Sequence, residues 1–207
     1  MKDIVDKLKY EKSLLESGKK LIAGADEVGR GPLAGPVVCA AVIMPLDDII
    51  EGIDDSKKLS EKKREMLYDK IIQKAITVSV EFVDNCVIDE INILQATKKC
   101  MASAINNLKV KPDIVLVDAL DGLEINVPEL PIIHGDALSY SIGASSIVAK
   151  VTRDRFMVEL SKKYPEYGFE KHKGYGTKAH IEAIKKYGLC EIHRRTFTKN
   201  FIGENNE

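Results

Sequence analysis

The sequence contains no apolar run approaching the ~20 residues that a membrane-spanning helix requires. Its opening stretch, MKDIVDKLKYEKSLLESGKK, is charged throughout and lacks the apolar centre of a secretory signal, so a cytoplasmic location is expected. The four cysteines, Cys39, Cys86, Cys100 and Cys190, lie far apart and form no CxxC pair. That spacing gives a zinc site no support, and a chain of this length does not need disulfide staples, so reduced thiols are expected. Neither GxGxxG nor GxxxxGKS/T occurs, which discounts a nucleotide-cradling loop. No internal repeat or low-complexity linker divides the 207 residues.

What is present is the profile of an ordinary globular chain. Hydrophobic residues make up 44% and charged residues 30%, with 31 cations against 32 acids. This excludes a disordered acidic or basic polymer and leaves enough chain to bury a sizeable core. One domain with a small appendage is expected. The near-neutral total hides an asymmetry. Residues 112–149 contain no Lys or Arg but carry Asp113, Asp118, Asp121, Glu124, Glu129 and Asp136. From Lys150 to Asn200, thirteen cations face six acids, a net +7. An acidic middle before a basic end suits a metal-binding centre beside a polyanion-binding surface, although solvated helix faces produce similar blocks.

Hydrophobic periodicity predicts the elements. Residues 3–17 read as a polar helix. Leu21–Val28 and Pro36–Pro45 read as strands, and the second, VVCAAVIMP, is apolar enough to be buried on both faces. Gly29, Gly31 and Gly35 between them fit a hairpin. Ser60 is an N-cap for a helix whose Leu67, Ile71 and Ala75 repeat at i, i+4 and i+8. ITVSVEFVD alternates as a strand does. Residues 88–108 form a helix with Leu94, Met101, Ile105 and Leu108 on one stripe, ended by Pro112. DIVLVDA and LPIIHGD read as further strands. A long helix over 139–163 begins with small residues, and a last one runs from Thr177 to Gly188. Antiparallel strands first, then strands alternating with helices, predict an α/β fold. Its five-stranded mixed sheet is flanked by helices, with the first strand near the middle.

The chemistry sits where strands end. Asp26 and Glu27 close the first strand, Asp118 closes DIVLVD, and Asp136 follows PIIHG. Open sheets bind ligands at such ends. Carboxylates gathered together raise one another's pKa, so a cation belongs among them, and oxygen-only ligands select Mg²⁺ or Mn²⁺. Asp26 and Glu27 are adjacent, so they serve one site only if the strand ends or twists between them. Taken singly, each acid is also compatible with an ordinary solvated turn. After the acids, Gly29 and Gly31 allow close backbone approach and expose N–H groups, and Arg30 can grip a phosphate. A plain tight turn would look the same.

Taken together, DEVGRGPLAGP resembles the signature of the ribonuclease HII family, the type 2 ribonucleases H. DDSKKLS, LVDAL, the GD preceding ASSIVAKVTRD, and HKGYGT resemble further family motifs in family order, from about residue 20 to 180. The resemblance implies a ribonuclease H-like catalytic domain over 19–190, preceded by an N-terminal helix (1–18) and followed by a basic tail (191–207). The residues before the first strand are too few for the extra N-terminal domain of type 3 enzymes. It also implies endonucleolytic cleavage of the RNA strand of RNA–DNA hybrids, and incision of duplex DNA 5′ to an embedded ribonucleotide. The products carry a 3′-hydroxyl and a 5′-phosphate, and two Mg²⁺ or Mn²⁺ ions are needed. Asp26, Glu27 and Asp118 match the family's metal ligands, and Asp136 its fourth catalytic carboxylate. One ion would orient and deprotonate the attacking water, and the other would neutralise the leaving 3′-oxygen. The backbone of Gly29, Arg30 and Gly31 would read the 2′-hydroxyl that distinguishes RNA from DNA. Tyr175 would pack on the following sugar. Lys57, with Ser56 and Lys58, would hold the DNA backbone, and Lys150 would reach a phosphate. His172 and His180 lack metal-like neighbours and read as routine polar contacts. The mixed tail HRRTFTKNF is equally compatible with lying along a duplex or not. No feature demands an oligomer, so a monomer is expected. The competing readings are another ribonuclease H-like nuclease of resolvase or integrase type, a non-catalytic nucleic-acid-binding module, and a small-molecule phosphatase.

Overall fold

VVCAAVI forms strand β2 (Val37–Ile43), in which every residue is buried. Such continuous apolar strands persist where helices cover both faces of a sheet. A computed structural model of the chain describes residues 7–201. In it, β2 pairs antiparallel with β1 (Ile22–Val28) and with β3 (Thr77–Val83). Strand β4 (Ile114–Asp118) joins β1 in parallel, and β5 (Glu129–Ile132) joins β4 in parallel. The order β3-β2-β1-β4-β5 puts β1 at the centre of a five-stranded mixed sheet, as the sequence predicts.

Alternation along the central strands sends side chains to two cores. Ala23, Ala25, Val37, Cys39 and Ala41 face helix α3 (Asn85–Asn106), whose Cys100, Met101 and Ile105 are buried there. Ala40 and Val42 face the other way. They meet Leu67 and Ile71 of α2 (Glu61–Lys74) and Ala144, Ile147 and Val148 of α5 (Tyr140–Lys163). Ser60 and Ser139 cap α2 and α5 by accepting from the Lys63 and Ile142 N–H groups. The N-terminal helix α1 (Lys9–Glu16) is pinned by Glu11, which is fully buried. Its Oε1 accepts from the Ser139 hydroxyl at 2.6 Å and the Ser141 N–H at 2.9 Å. Residues 3–6 of the helix expected at 3–17 lie outside the described residues. No helix among the described residues is long and apolar enough to cross a membrane.

Three expectations need correction. The helix expected over 88–108 is broken at Asn92, which adopts φ 67° and ψ 164°. Its side-chain oxygen accepts from the Leu94 and Gln95 N–H groups, capping the second segment. Leu94 therefore leaves the stripe and is exposed. The alternation of strands and helices also fails between β4 and β5, where no helix forms. Leu123, Ile125 and Val127 cover the α3 core there as irregular, bent chain. Finally, the basic tail expected over 191–207 is packed against the body through Thr198. Gly35 N–H donates to Ile192 C=O at 2.9 Å, Arg194 N–H donates to Leu33 C=O at 2.8 Å, and Ala34 and His193 form a bridge. His193, Arg194 and Thr198 are buried, because the Arg194 guanidinium finds backbone carbonyls inside the fold rather than water outside it. Residues 202–207 lie outside the described residues.

Candidate active site

β1 runs unbroken through both acids, with Asp26 opposite Ala40 and Glu27 opposite Cys39. The strand neither ends nor turns between them, so the two side chains leave opposite faces of the sheet. Asp26 lies on the α5 side, buried, with the Glu27 N–H donating to its Oδ1 at 2.7 Å. The Ser146 hydroxyl of α5 contacts Asp26 and, at 2.9 Å, the Ser56 hydroxyl. Asp118 ends β4 on the same side, and the Gly135 N–H donates to its Oδ1 at 2.7 Å. Gly135 opens the short helix α4 (Gly135–Leu138), which carries the buried Asp136. One oxygen each from Asp26, Asp118 and Asp136 lie within 4.8 Å of one another.

Glu27 stands outside that group. Its Oε1 is 3.6 Å from Arg30, and its Oε2 is buried with no hydrogen-bond partner among the described residues. The geometric triad thus contains Asp136, which the family resemblance leaves less firmly tied to metal, while Glu27 approaches from the other face. Lys57 Nζ lies 3.6 Å from Asp136 Oδ2.

The electrostatics are those of crowded carboxylates. Burial raises the Asp26 carboxyl well above its ordinary range, and the charges of Glu27 and Asp118 raise it further. Burial and then Asp136 raise Asp118. Burial also raises Glu27; Arg30 works against this, and Asp118 adds to it. For Lys57, burial works to lower the ammonium, but Asp136, Asp26, Asp55 and Asp118 carry it above its usual value. Asp26, Glu27, Asp118 and Asp136 outnumber the two cations beside them, Lys57 and Arg30, so their charge is under-compensated. An unpartnered buried oxygen on Glu27 and an all-oxygen donor set fit a hard divalent cation.

Beside the acids, Gly29 takes φ 92°, and a Cβ there would sit 2.3 Å from Arg153 Nε. Only glycine fits this backbone against that side chain. Tyr175 is 40% exposed, with the Arg153 guanidinium 5.9 Å from its ring centroid. Lys150 is held on Asp154 at 2.8 Å, so its ammonium is engaged within α5. His172 and His180 make protein contacts, at 2.8 Å to the Tyr167 carbonyl and 2.9 Å to the Tyr175 carbonyl. Sequence reasoning missed Ser146, Arg153 and Arg194. The first lay in the run of small residues that opens the long helix, and the two arginines were counted with the basic C-terminal charge.

Residues 23–200 match the model of the family described as Ribonuclease HII. A ribonuclease HII from Acetivibrio thermocellus is 62% identical over 193 residues, covering 93% of this chain and 75% of that protein. One from Caldicellulosiruptor bescii is 58% identical over 192 residues, covering 93% of each. The crystal structure of the ribonuclease H2 from Pyrococcus horikoshii superposes with a TM-score of 0.74 at 31% identity, covering 88% of this chain and 97% of that one. The central acidic strand end, the sheet order and these likenesses agree, and the chain belongs to the ribonuclease HII family of endonucleases.

Proposed function

We propose that the protein cleaves the RNA strand of RNA–DNA hybrids and incises duplex DNA on the 5′ side of an embedded ribonucleotide. The products would carry a 3′-hydroxyl and a 5′-phosphate. The observation that carries this reading is the convergence of Asp26, Asp118 and Asp136 beside the Gly29-Arg30-Gly31 turn. Asp26, Asp118 and Asp136 would hold Mg²⁺ or Mn²⁺, with Glu27 closing the site from the opposite face. Two ions bound there supply an activated water and neutralise charge on the leaving 3′-oxygen. The chain's own part is positional. Buried strand ends and Ser146 hold Asp26, while the Gly135 N–H orients Asp118. Lys57 offers an exposed cation at the mouth for a phosphate.

Selectivity for ribose needs a donor or acceptor aimed at the 2′-hydroxyl. The glycine loop offers backbone N–H groups for that purpose, and Tyr175 offers an exposed ring to the next sugar. The deciding assay compares a DNA duplex carrying one ribonucleotide with the same duplex in all-DNA form, with and without Mg²⁺. Cleavage confined to the ribonucleotide-bearing strand with Mg²⁺ is the expected result. Equal cleavage of both duplexes would favour a resolvase-like enzyme, and metal-independent binding without cleavage would favour a binding module.

Tyr175→Ala should lower cleavage at a single ribonucleotide by about tenfold, consistent with the loss of one ring-to-nucleotide contact of ~1–3 kcal/mol. Tyr187→Ala, at another exposed tyrosine, serves as the comparison and should leave the rate near that of the unaltered chain. Equal rates in the two variants would make Tyr175 an ordinary loop residue.

A further inference from the structure

We infer that Arg194 is a positioning residue for ribose recognition, its buried guanidinium turning the N–H groups of the glycine loop outward. This rests on the ribose-reading role proposed above. Arg194 donates from Nη2 to the Gly29 carbonyl at 2.6 Å and from Nη1 to the Arg30 carbonyl at 2.9 Å. Its Nε and Nη2 reach the Gly35 carbonyl at 3.0 and 2.8 Å. In a trans peptide the C=O and the following N–H point in opposite directions. Pulling the Gly29 and Arg30 carbonyls inward therefore sends the Arg30 and Gly31 N–H groups away from Arg194. Neither N–H has an acceptor among the described residues.

The surroundings make space-filling a poor explanation. Arg153 lies beneath the same loop and donates to the carbonyls of Pro36, Lys173 and Ala34. Both guanidinium groups are fully buried, and among the described residues neither has a carboxylate partner within ion-pair distance. Burial, and then the charge of Arg153, lower Arg194 to about 9. Two neighbouring buried cations are costly unless every donor is used. Apolar side chains would fill the volume without that cost, but they could not hold three carbonyls in a fixed fork.

The residue next to Arg194 ties the second substrate-facing loop to the same segment. His193 Nδ1 accepts from the Cys190 N–H at 2.9 Å, which leaves its Nε2–H to donate to His180 Nε2 at 3.0 Å. His180 must then donate from Nδ1 to the Tyr175 carbonyl at 2.9 Å. Burial lowers both imidazoles to about 4, so the neutral tautomers this chain of bonds requires are the stable ones at neutral pH. His193 and Arg194 thus reach from one extended stretch to the tyrosine loop and the glycine loop.

The test is binding of the full chain, in EDTA, to two short DNA duplexes that differ by one 2′-hydroxyl. The unaltered protein should bind the ribose-bearing duplex about tenfold more tightly, equivalent to ~1.4 kcal/mol. Arg194→Met should bring the two affinities within about twofold, and Arg194→Lys should retain only part of the gap, since a compact ammonium lacks the planar fork that spans the separate carbonyls. Leu189→Ala removes packing in the same segment and should keep the gap despite a lower melting temperature. A full gap in folded Arg194→Met overturns the inference; if that variant does not fold, a full gap in Arg194→Lys does so. Collapse of the gap in Leu189→Ala also overturns it, because general loosening would then suffice. No gap in the unaltered protein removes the ribose-reading role itself.

Discussion

Asp118→Asn is expected to lower cleavage by about 10³-fold, since removing one carboxylate from a divalent-metal site sacrifices several kcal/mol of charge stabilisation. The fold should survive. The amide oxygen can still accept from the Gly135 N–H, and the shape is nearly unchanged. Stability without metal should even rise. Asp118 is held above its ordinary range by burial and by Asp136. Such a group keeps its proton longer in the folded chain than in the unfolded one. Stability therefore falls as pH climbs from the ordinary carboxylate value through the raised one. In EDTA the unaltered protein takes on this repulsion as pH rises, and Asp118→Asn does not. The variant should melt higher in EDTA at neutral pH, and the difference should vanish below the ordinary carboxylate range. Added Mg²⁺ should raise the melting temperature of the unaltered protein more than that of the variant, because binding to the folded state alone stabilises it. Turnover within tenfold of the unaltered chain would take Asp118 out of the chemistry. A lower melting point in EDTA would refute the repulsion.

Gly24→Ala should be the most damaging substitution outside the acids. A Cβ at Gly24 would stand 2.1 Å from the carbonyl carbon and oxygen of Ser141 and 2.5 Å from the Ile142 nitrogen. All three are backbone atoms of the first turn of α5, so no rotamer change relieves the contact. α5 would have to move away from β1, at a cost of ~3 kcal/mol or more. For a chain of this length that lowers the melting temperature by about 6–12 °C. The same shift carries Ser146 away from Asp26, so cleavage should fall with stability. Calorimetry and a single-turnover assay read the two effects. An unchanged melting temperature would mean that β1 and α5 are not locked at their observed spacing.

The sheet was legible because its strands are short apolar runs bounded by glycine, proline or acids, and length separates those from helices. The acids were legible because Asp26, Asp118 and Asp136 each follow such a run. Their grouping was less so. Adjacency in DEVGRG pairs Asp26 with Glu27, yet the pleat sends them to opposite faces, and the buried neighbours of Asp26 come from β4 and α4. Local chemistry overrode periodicity at Asn92, where a side-chain cap outweighs helix continuity. Leu123, Ile125 and Val127 alternate as a strand would, but they have no strand beside them to join. The buried arginines were hidden for a different reason. Arg153 and Arg194 satisfy carbonyls contributed by residues far away in sequence, and composition counts them as surface charge.

One more consequence concerns where this molecule can be shortened. The match to the family model begins at residue 23, after α1. Yet Glu11 supplies the acceptor for a hydroxyl and an amide at the head of the longest helix. A truncation at that boundary would take away the buried acceptor of those two donors and uncover the first turn of α5. The damage would travel along α5 to Ser146, reaching the acidic centre although every residue that lines it had been kept.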